Sequence, residues 1–140
     1  MIVLDTSVLS LALRRRIGAG REPREVVALR RVMSANVQTA VPGIVFQEIL
    51  TGIRNTPQFL QLKRALDDFR LLLAGREHHL AAAEISNACR AHGVAAGLAD
   101  CLIAAMTIAE RAHLLTMDRD FDLIAEHSAL RLVDFSALSG

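Results

Sequence analysis

The chain has 140 residues and a mass of 15.2 kDa, the size of one ordinary domain. It is 52% hydrophobic and 22% charged with mean hydropathy +0.33, which excludes a disordered chain and allows a sizeable core. Sixteen basic against fifteen acidic residues leave a formal charge of +1, so no overall field advertises nucleic acid or a membrane surface, and any nucleic-acid role has to rest on a local site.

Trp and Tyr are absent and Phe occurs five times, which argues against a surface of bases stacked on aromatic rings. Cys89 and Cys101 form no CxxC motif, consistent with a reduced, cytoplasmic protein. The longest uncharged stretch, Val32 to Gln47, contains Pro42 and Gly43 and is too short to span a bilayer, so no membrane association is expected. Asp5 interrupts the apolar N-terminus and the arginines follow it, which is not the order of a signal peptide. Fifteen of the sixteen basic residues are Arg, so any grip on phosphate is by planar guanidinium groups. Residues 1–36 carry seven Arg and three acids, whereas residues 97–140 carry three Arg and seven acids. That asymmetry fits either two sides of one site or plain solvated helix faces.

In chain order, Ile2–Leu4 reads as a strand and Ser7–Arg15 as a helix capped by Thr6 or Ser7. The segment IGAG (17–20) breaks it, and a second helix runs from about Pro23 to Asn36. Val37–Val41 is strand-like and ends at Pro42–Gly43. In Ile44–Arg54, Val45, Phe46, Ile49, Leu50 and Ile53 share one helical face. Pro57–Phe69 follows as a helix and Leu71–Leu73 as a buried strand. Glu77–His92 is helical up to Gly93, and Leu98–Arg111 is helical and so apolar that it should be largely buried. Leu114–Thr116 and Leu130–Val133 are the last strands, flanking a short helix near 121–127. Strands separated by helices predict a single α/β domain over residues 1–140, a three-layer sandwich around a parallel sheet of about five strands. In such a sheet, ligands bind beyond the carboxyl ends of the strands.

Four acids fall at such places. Asp5 follows the first strand, and Asp118 lies two residues after Thr116. Glu48 borders the apolar face of the 44–54 helix, and Asp100 sits in the first turn of the 98–111 helix, after the stretch GVAAG (93–97). Each has an ordinary alternative: a cap, a dipole complement, a solvated edge or a turn. Together, at matching topological positions, they suggest one pocket. Converging carboxylates repel, and a hard divalent cation such as Mg²⁺ or Mn²⁺ relieves the repulsion while recruiting a phosphodiester.

The blocks MIVLDTSVL (1–9), PGIVFQEILTGIR (42–54), GLADCLIAAM (97–106) and LLTMDRDF (114–121) resemble, in order and spacing, those of PIN-domain ribonucleases, and more narrowly the VapC toxins of bacterial toxin–antitoxin pairs. The resemblance covers essentially the whole chain. It implies a PIN-like fold and Mg²⁺-dependent endoribonuclease activity, with Mn²⁺ as a substitute. It places Asp5, Glu48, Asp100 and Asp118 at the family's acidic quartet. By this resemblance Asp5 and Asp100 are the principal metal ligands, Asp118 stands in or just behind them, and Glu48 orients or deprotonates the attacking water. Thr6, Ser7 and Thr116 match supporting hydroxyl residues, and Asp120 matches a frequent fifth acid. Gly43 stands near where many members carry Ser or Thr, a departure from the pattern. The resemblance also implies RNA as substrate, a homodimer, and silencing by a VapB-type antitoxin. By analogy, Arg14, Arg15 and Arg16 are candidate RNA contacts.

Other readings fit less well. The run from Asp118 begins like an EF-hand loop, but Leu123 replaces the Gly and Ala129 the Glu. Ser7 stands where a haloacid-dehalogenase-type phosphatase needs its second Asp, a receiver domain needs a late Lys, and no nucleotide-binding glycine motif is present. His78, His79, Cys89 and His92 match no zinc spacing. Two alternatives stay open: a catalytically silent PIN fold that binds RNA or protein, and a PIN nuclease of RNA maturation with no antitoxin.

Overall fold

A computed structural model describes residues 1–14 and 23–134. In chain order the elements are β1 (Ile2–Leu4), α1 (Thr6–Arg14), α2 (Arg24–Ser34), β2 (Thr39–Pro42), α3 (Gly43–Leu50), α4 (Thr56–Leu66), β3 (Arg70–Leu72), α5 (Arg76–Ala91), α6 (Leu98–Ala109), β4 (His113–Leu115) and α7 (Asp120–Glu126). The strands are short and almost wholly apolar, as expected of strands covered on both faces. They pair in parallel in the order β3-β2-β1-β4, with Ile2 opposite both Thr39 and His113.

The chain leaves β1 for β2 and then β3 on one side, and returns to pair β4 on the other side of β1. With right-handed crossovers, that reversal puts α1–α4 on one face and α5–α6 on the other. The helix packing agrees: α1 packs on α2 and α3, α3 on α4, and α5 on α6 and α7. The core between the layers includes Val3, Leu9, Ile49, Leu114 and Phe121, each at most 1% exposed. His92 and His127 stack with ring centroids 4.3 Å apart, joining the ends of α5 and α7.

The structure corrects several expectations. Among the described residues the sheet has four strands, not about five. Leu130–Val133 makes only an isolated bridge, Leu132 to Leu114. Two hydrogen bonds hold it: Leu114 N donates to Arg131 O, and Val133 N donates to Leu114 O, both at 2.9 Å. β4 ends at Leu115 and the chain then turns into the strand-tip crevice, so little ladder is left to extend. Helix α3 stops at Leu50, not Arg54, because Gly52 adopts φ +83 and Thr51 Oγ1 donates back to Gln47 O at 2.7 Å. α4 likewise ends at Leu66, short of Phe69. β3 is an edge strand and not a buried one: Leu72 points inward at 5% exposure, while Leu71 is 45% exposed.

α6 is buried as expected along Ile103–Thr107. Thr107 does not face water there. It is fully buried and donates to Ile103 O at 2.8 Å, which satisfies its hydroxyl within the helix.

Leu114 fills the centre of this packing, so Leu114→Ala is expected to lower the unfolding free energy by about 2–5 kcal/mol. Leu73→Ser, at a side chain 73% exposed, is expected to change it by less than about 0.5 kcal/mol. Urea melts of both variants check the contrast through their midpoints.

Candidate active site

Between β1 and β4 the connections diverge to opposite faces, which opens a crevice at their carboxyl ends. Asp5 stands at its floor, 3% exposed. Its Oδ1 accepts from Ser7 Oγ at 2.7 Å and from Val8 N at 3.3 Å, and its Oδ2 accepts from Thr116 Oγ1. The bond to Val8 N satisfies a free amide of the first turn of α1, the ordinary work of an N-cap carboxylate. The bonds from Ser7 and Thr116 do more, because they tie the tips of two strands together. Ser7 Oγ also accepts from Met117 N at 2.9 Å, and Thr116 Oγ1 accepts from Asp118 N at 2.9 Å. Asp118 Oδ1 in turn accepts from Asp120 N at 2.9 Å, fixing the turn into α7.

The other acids come to the same crevice from separate elements. Asp100, in the first turn of α6, is half-buried, as is Asp118, while Asp120 is exposed. One carboxylate oxygen from each of these three lies within 4.8 Å of the others. Glu48, exposed on α3, accepts at Oε2 from Thr6 Oγ1 at 2.9 Å. Gly43 offers no hydroxyl, and Thr6 supplies it from across the crevice instead.

Desolvation, followed by the negative charges of Asp118, Asp120, Asp5 and Glu48, pushes the Asp100 carboxyl up to about 6. Burial raises Asp5 as well, against the opposing pull of Thr116, Ser7 and Val8 N, with a further push from Asp118. Among the described residues no Lys or Arg is bridged to any of these five acids. Convergent carboxylates with all-oxygen donors are the environment a hard divalent cation fits. Asp100, Asp118 and Asp120 would hold such an ion. Asp5 has both oxygens hydrogen-bonded, and Glu48 has one.

Thr6, Ser7 and Thr116 thus each hydrogen-bond to one of the acids. Arg14 ends α1, while its side chain and Arg15 and Arg16 lie outside the described residues. Sequence reasoning misses a groove of about 330 Å³ that runs from Thr116 and Asp118 to Arg119 and the start of α2 at Arg24, floored by Leu114 and Leu132. Arg24 and Arg119 are far apart in sequence and belong to no shared motif, so nothing in the chain alone pairs them.

Residues 2–127 match the PIN domain family, and the chain belongs to that family. No curated protein matches it by sequence. Among solved structures it is similar to a chain of VapBC2 from Rickettsia felis bound to a DNA fragment from their promoter, at 22% identity and TM-score 0.75, over 95% of this chain and 98% of that one. It is also similar to a chain of VapBC-1 from nontypeable Haemophilus influenzae, at 20% identity and TM-score 0.74, over 97% and 99% of the two chains. A chain of a toxin–antitoxin complex from Klebsiella pneumoniae is similar at 19% identity and TM-score 0.67, over 86% and 90%. At these identities the likeness shows the fold.

The raised Asp100 has a stability consequence whose sign is fixed. An acid whose pKa rises from 3.8 unfolded to about 6 folded holds its proton more tightly in the fold. Its contribution therefore turns unfavourable as pH rises from about 4 to about 6, and is constant above that. In chelator, Asp100→Asn is expected to gain Tm relative to the parent through that window and to hold the gain at higher pH. Thermal melts of both proteins across pH 4–8 read the difference directly.

Proposed function

We propose that this chain, as one PIN-like domain over residues 1–140, is a metal-dependent endoribonuclease that hydrolyses phosphodiester bonds in RNA. We further propose that it is the VapC-type toxin of a toxin–antitoxin pair. The observation that carries the reading is the gathering of Asp5, Glu48, Asp100, Asp118 and Asp120 at one sheet edge from distant parts of the chain. Acids held this close, with no basic side chain bridged to them among the described residues, are unfavourable unless a cation is their purpose.

Mg²⁺, or Mn²⁺ in its place, would supply Lewis-acid charge neutralisation for a phosphodiester. The chain's own residues do the rest. Asp5, Asp100 and Asp118 offer oxygens to the ion, Asp120 lies close enough to Asp100 and Asp118 to add another, and Asp5 also keeps the tips of β1 and β4 in register. Glu48, oriented by Thr6 and retaining one disengaged oxygen, takes the proton of the water that attacks phosphorus. Arg14, Arg15 and Arg16 are proposed to contact RNA at the end of α1.

The likeness to VapBC chains and to a toxin–antitoxin complex supports a VapB-type antitoxin as partner. Large apolar side chains left on the surface, among them Leu98 at 87% and Leu80 at 61% exposure, support the burial of protein surface in a homodimer or under the antitoxin. No helix among the described residues is long and apolar enough to cross a membrane. With two unpaired cysteines, this supports a cytoplasmic location.

Purified protein is expected to cleave total RNA with Mg²⁺ or Mn²⁺, to stop in chelator and to resume when either ion is restored. Asp5→Asn is expected to abolish cleavage while keeping the fold, and Glu48→Gln to slow it by about 10²–10⁴. RNA bound but left intact by the metal-loaded parent would assign the chain to the catalytically silent class. Full activity in Asp5→Asn would overturn the active-site assignment itself.

Because the ion has to displace the Asp100 proton, its apparent affinity is expected to fall as pH drops below about 6. Mg²⁺-dependent thermal shifts at pH 5 and pH 7.5 measure it. Equal affinity at both values would contradict a role for Asp100 as ligand.

A further inference from the structure

Beside the acids runs the groove of about 330 Å³ lined by Arg24, Glu25, Thr116, Asp118, Arg119 and Leu132. Asp122 lines it as well, but unlike the acid cluster the groove also carries basic side chains. Two guanidinium groups approach it from separate elements, Arg24 from the first turn of α2 and Arg119 from the turn into α7. Both side chains are exposed at the groove, and Arg24 Nε is held 3.3 Å from Glu25 Oε1. Among the described residues no side chain caps the N-terminus of α2, so the positive end of that helix adds to the field at the same wall. Leu114, Leu132 and Val133 give the groove an apolar side. It is continuous with the acids through Asp118 and Thr116, which belong to both.

We infer that this groove is the subsite for the nucleotide next to the scissile phosphate, with Arg24 and Arg119 gripping its phosphate and the apolar side accommodating its base. The inference rests on the ribonuclease reading and adds to it the side of the crevice along which the strand leaves. An acidic cluster repels a polyanion everywhere except at its ion, so the flanking phosphates need cations of their own. Arginine meets phosphate with paired, forked donors. Glu25 holds one of these guanidinium groups at the groove wall. No aromatic ring is required, in keeping with a chain that lacks Trp and Tyr.

The test is binding rather than turnover, so that it stays separate from cleavage. In an Asp5→Asn background, a fluorescein-labelled, mixed-sequence single-stranded RNA is titrated at several salt concentrations. Arg24→Ala and Arg119→Gln, singly and together, are compared with Lys63→Ala, a change on α4 outside the groove. Each groove variant is expected to weaken binding several-fold and to reduce the slope of log affinity against log salt by about 0.7 for every phosphate that is no longer gripped. Lys63→Ala is expected to change neither. In the cleaving parent background, the same variants should raise KM more than they lower kcat.

Arg24→Ala is far from the acids in sequence, so its result stands even if Arg119→Gln disturbs the turn into α7. Unchanged affinity and slope in the double variant would remove the groove from the RNA path and leave the nuclease assignment standing. An Asp5→Asn protein that binds no RNA at all would sink both.

Discussion

A single carboxylate, that of Asp5, is buried at the point where β1 and β4 end side by side, and three donors from both sides of that junction converge on it. Buried and ionised, it would be costly without those bonds. With them it becomes the pin that fixes how the chain leaves both strands: α1 starts on its Oδ1, and the turn toward α7 starts on the hydroxyl that holds its Oδ2. Asp118 and Asp120 are placed by that turn, and Thr6, one residue along, reaches the carboxylate of Glu48 on α3. The turn that carries Asp118 and Asp120 therefore follows from the hydrogen bonding of Asp5, whereas Asp100 is placed by α6.

The same arrangement carries an opposing force. The fold brings negative charges together more closely than water would tolerate, and the half-buried Asp100 registers this most clearly. Its helix cannot retreat, because Ile103 through Thr107 are locked in the core one turn away. Rigid packing thus holds an electrostatically unfavourable cluster in place, a common division of labour between scaffold and site. What the cluster lacks in intrinsic stability it recovers when a cation binds, which couples ligand occupancy to the stability of the sheet edge.

Much of this is legible in the chain. The alternation of short apolar runs with amphipathic stretches specifies the parallel sheet, and the acids stand at strand ends and helix starts, where topology gathers side chains. The expectation of five strands fails at Leu130–Val133, because an apolar run says that a segment is buried without saying how much ladder its neighbour has left to offer. Ile53 continues the apolar face of α3 past the helix end, whereas the positive φ of Gly52 decides where the helix stops. Leu71 looks buried by composition but lies on an edge strand, and edge position is a property of strand order, not of local sequence. The pairing of Thr6 with Glu48, and the meeting of Arg24 with Arg119, depend on the approach of distant segments and have no local pattern to announce them.

Strand order has a further consequence for how the molecule comes into being. The hydroxyl that holds Asp5 Oδ2 is 111 residues downstream of it, and β1 is flanked by a strand, β4, that follows it at a similar distance. Long-range parallel pairing of this kind forms slowly and only when both partners are present. During synthesis, therefore, the acids remain dispersed until Asp118 and Asp120 have followed Asp5, and the crevice forms only once β4 can pair with β1.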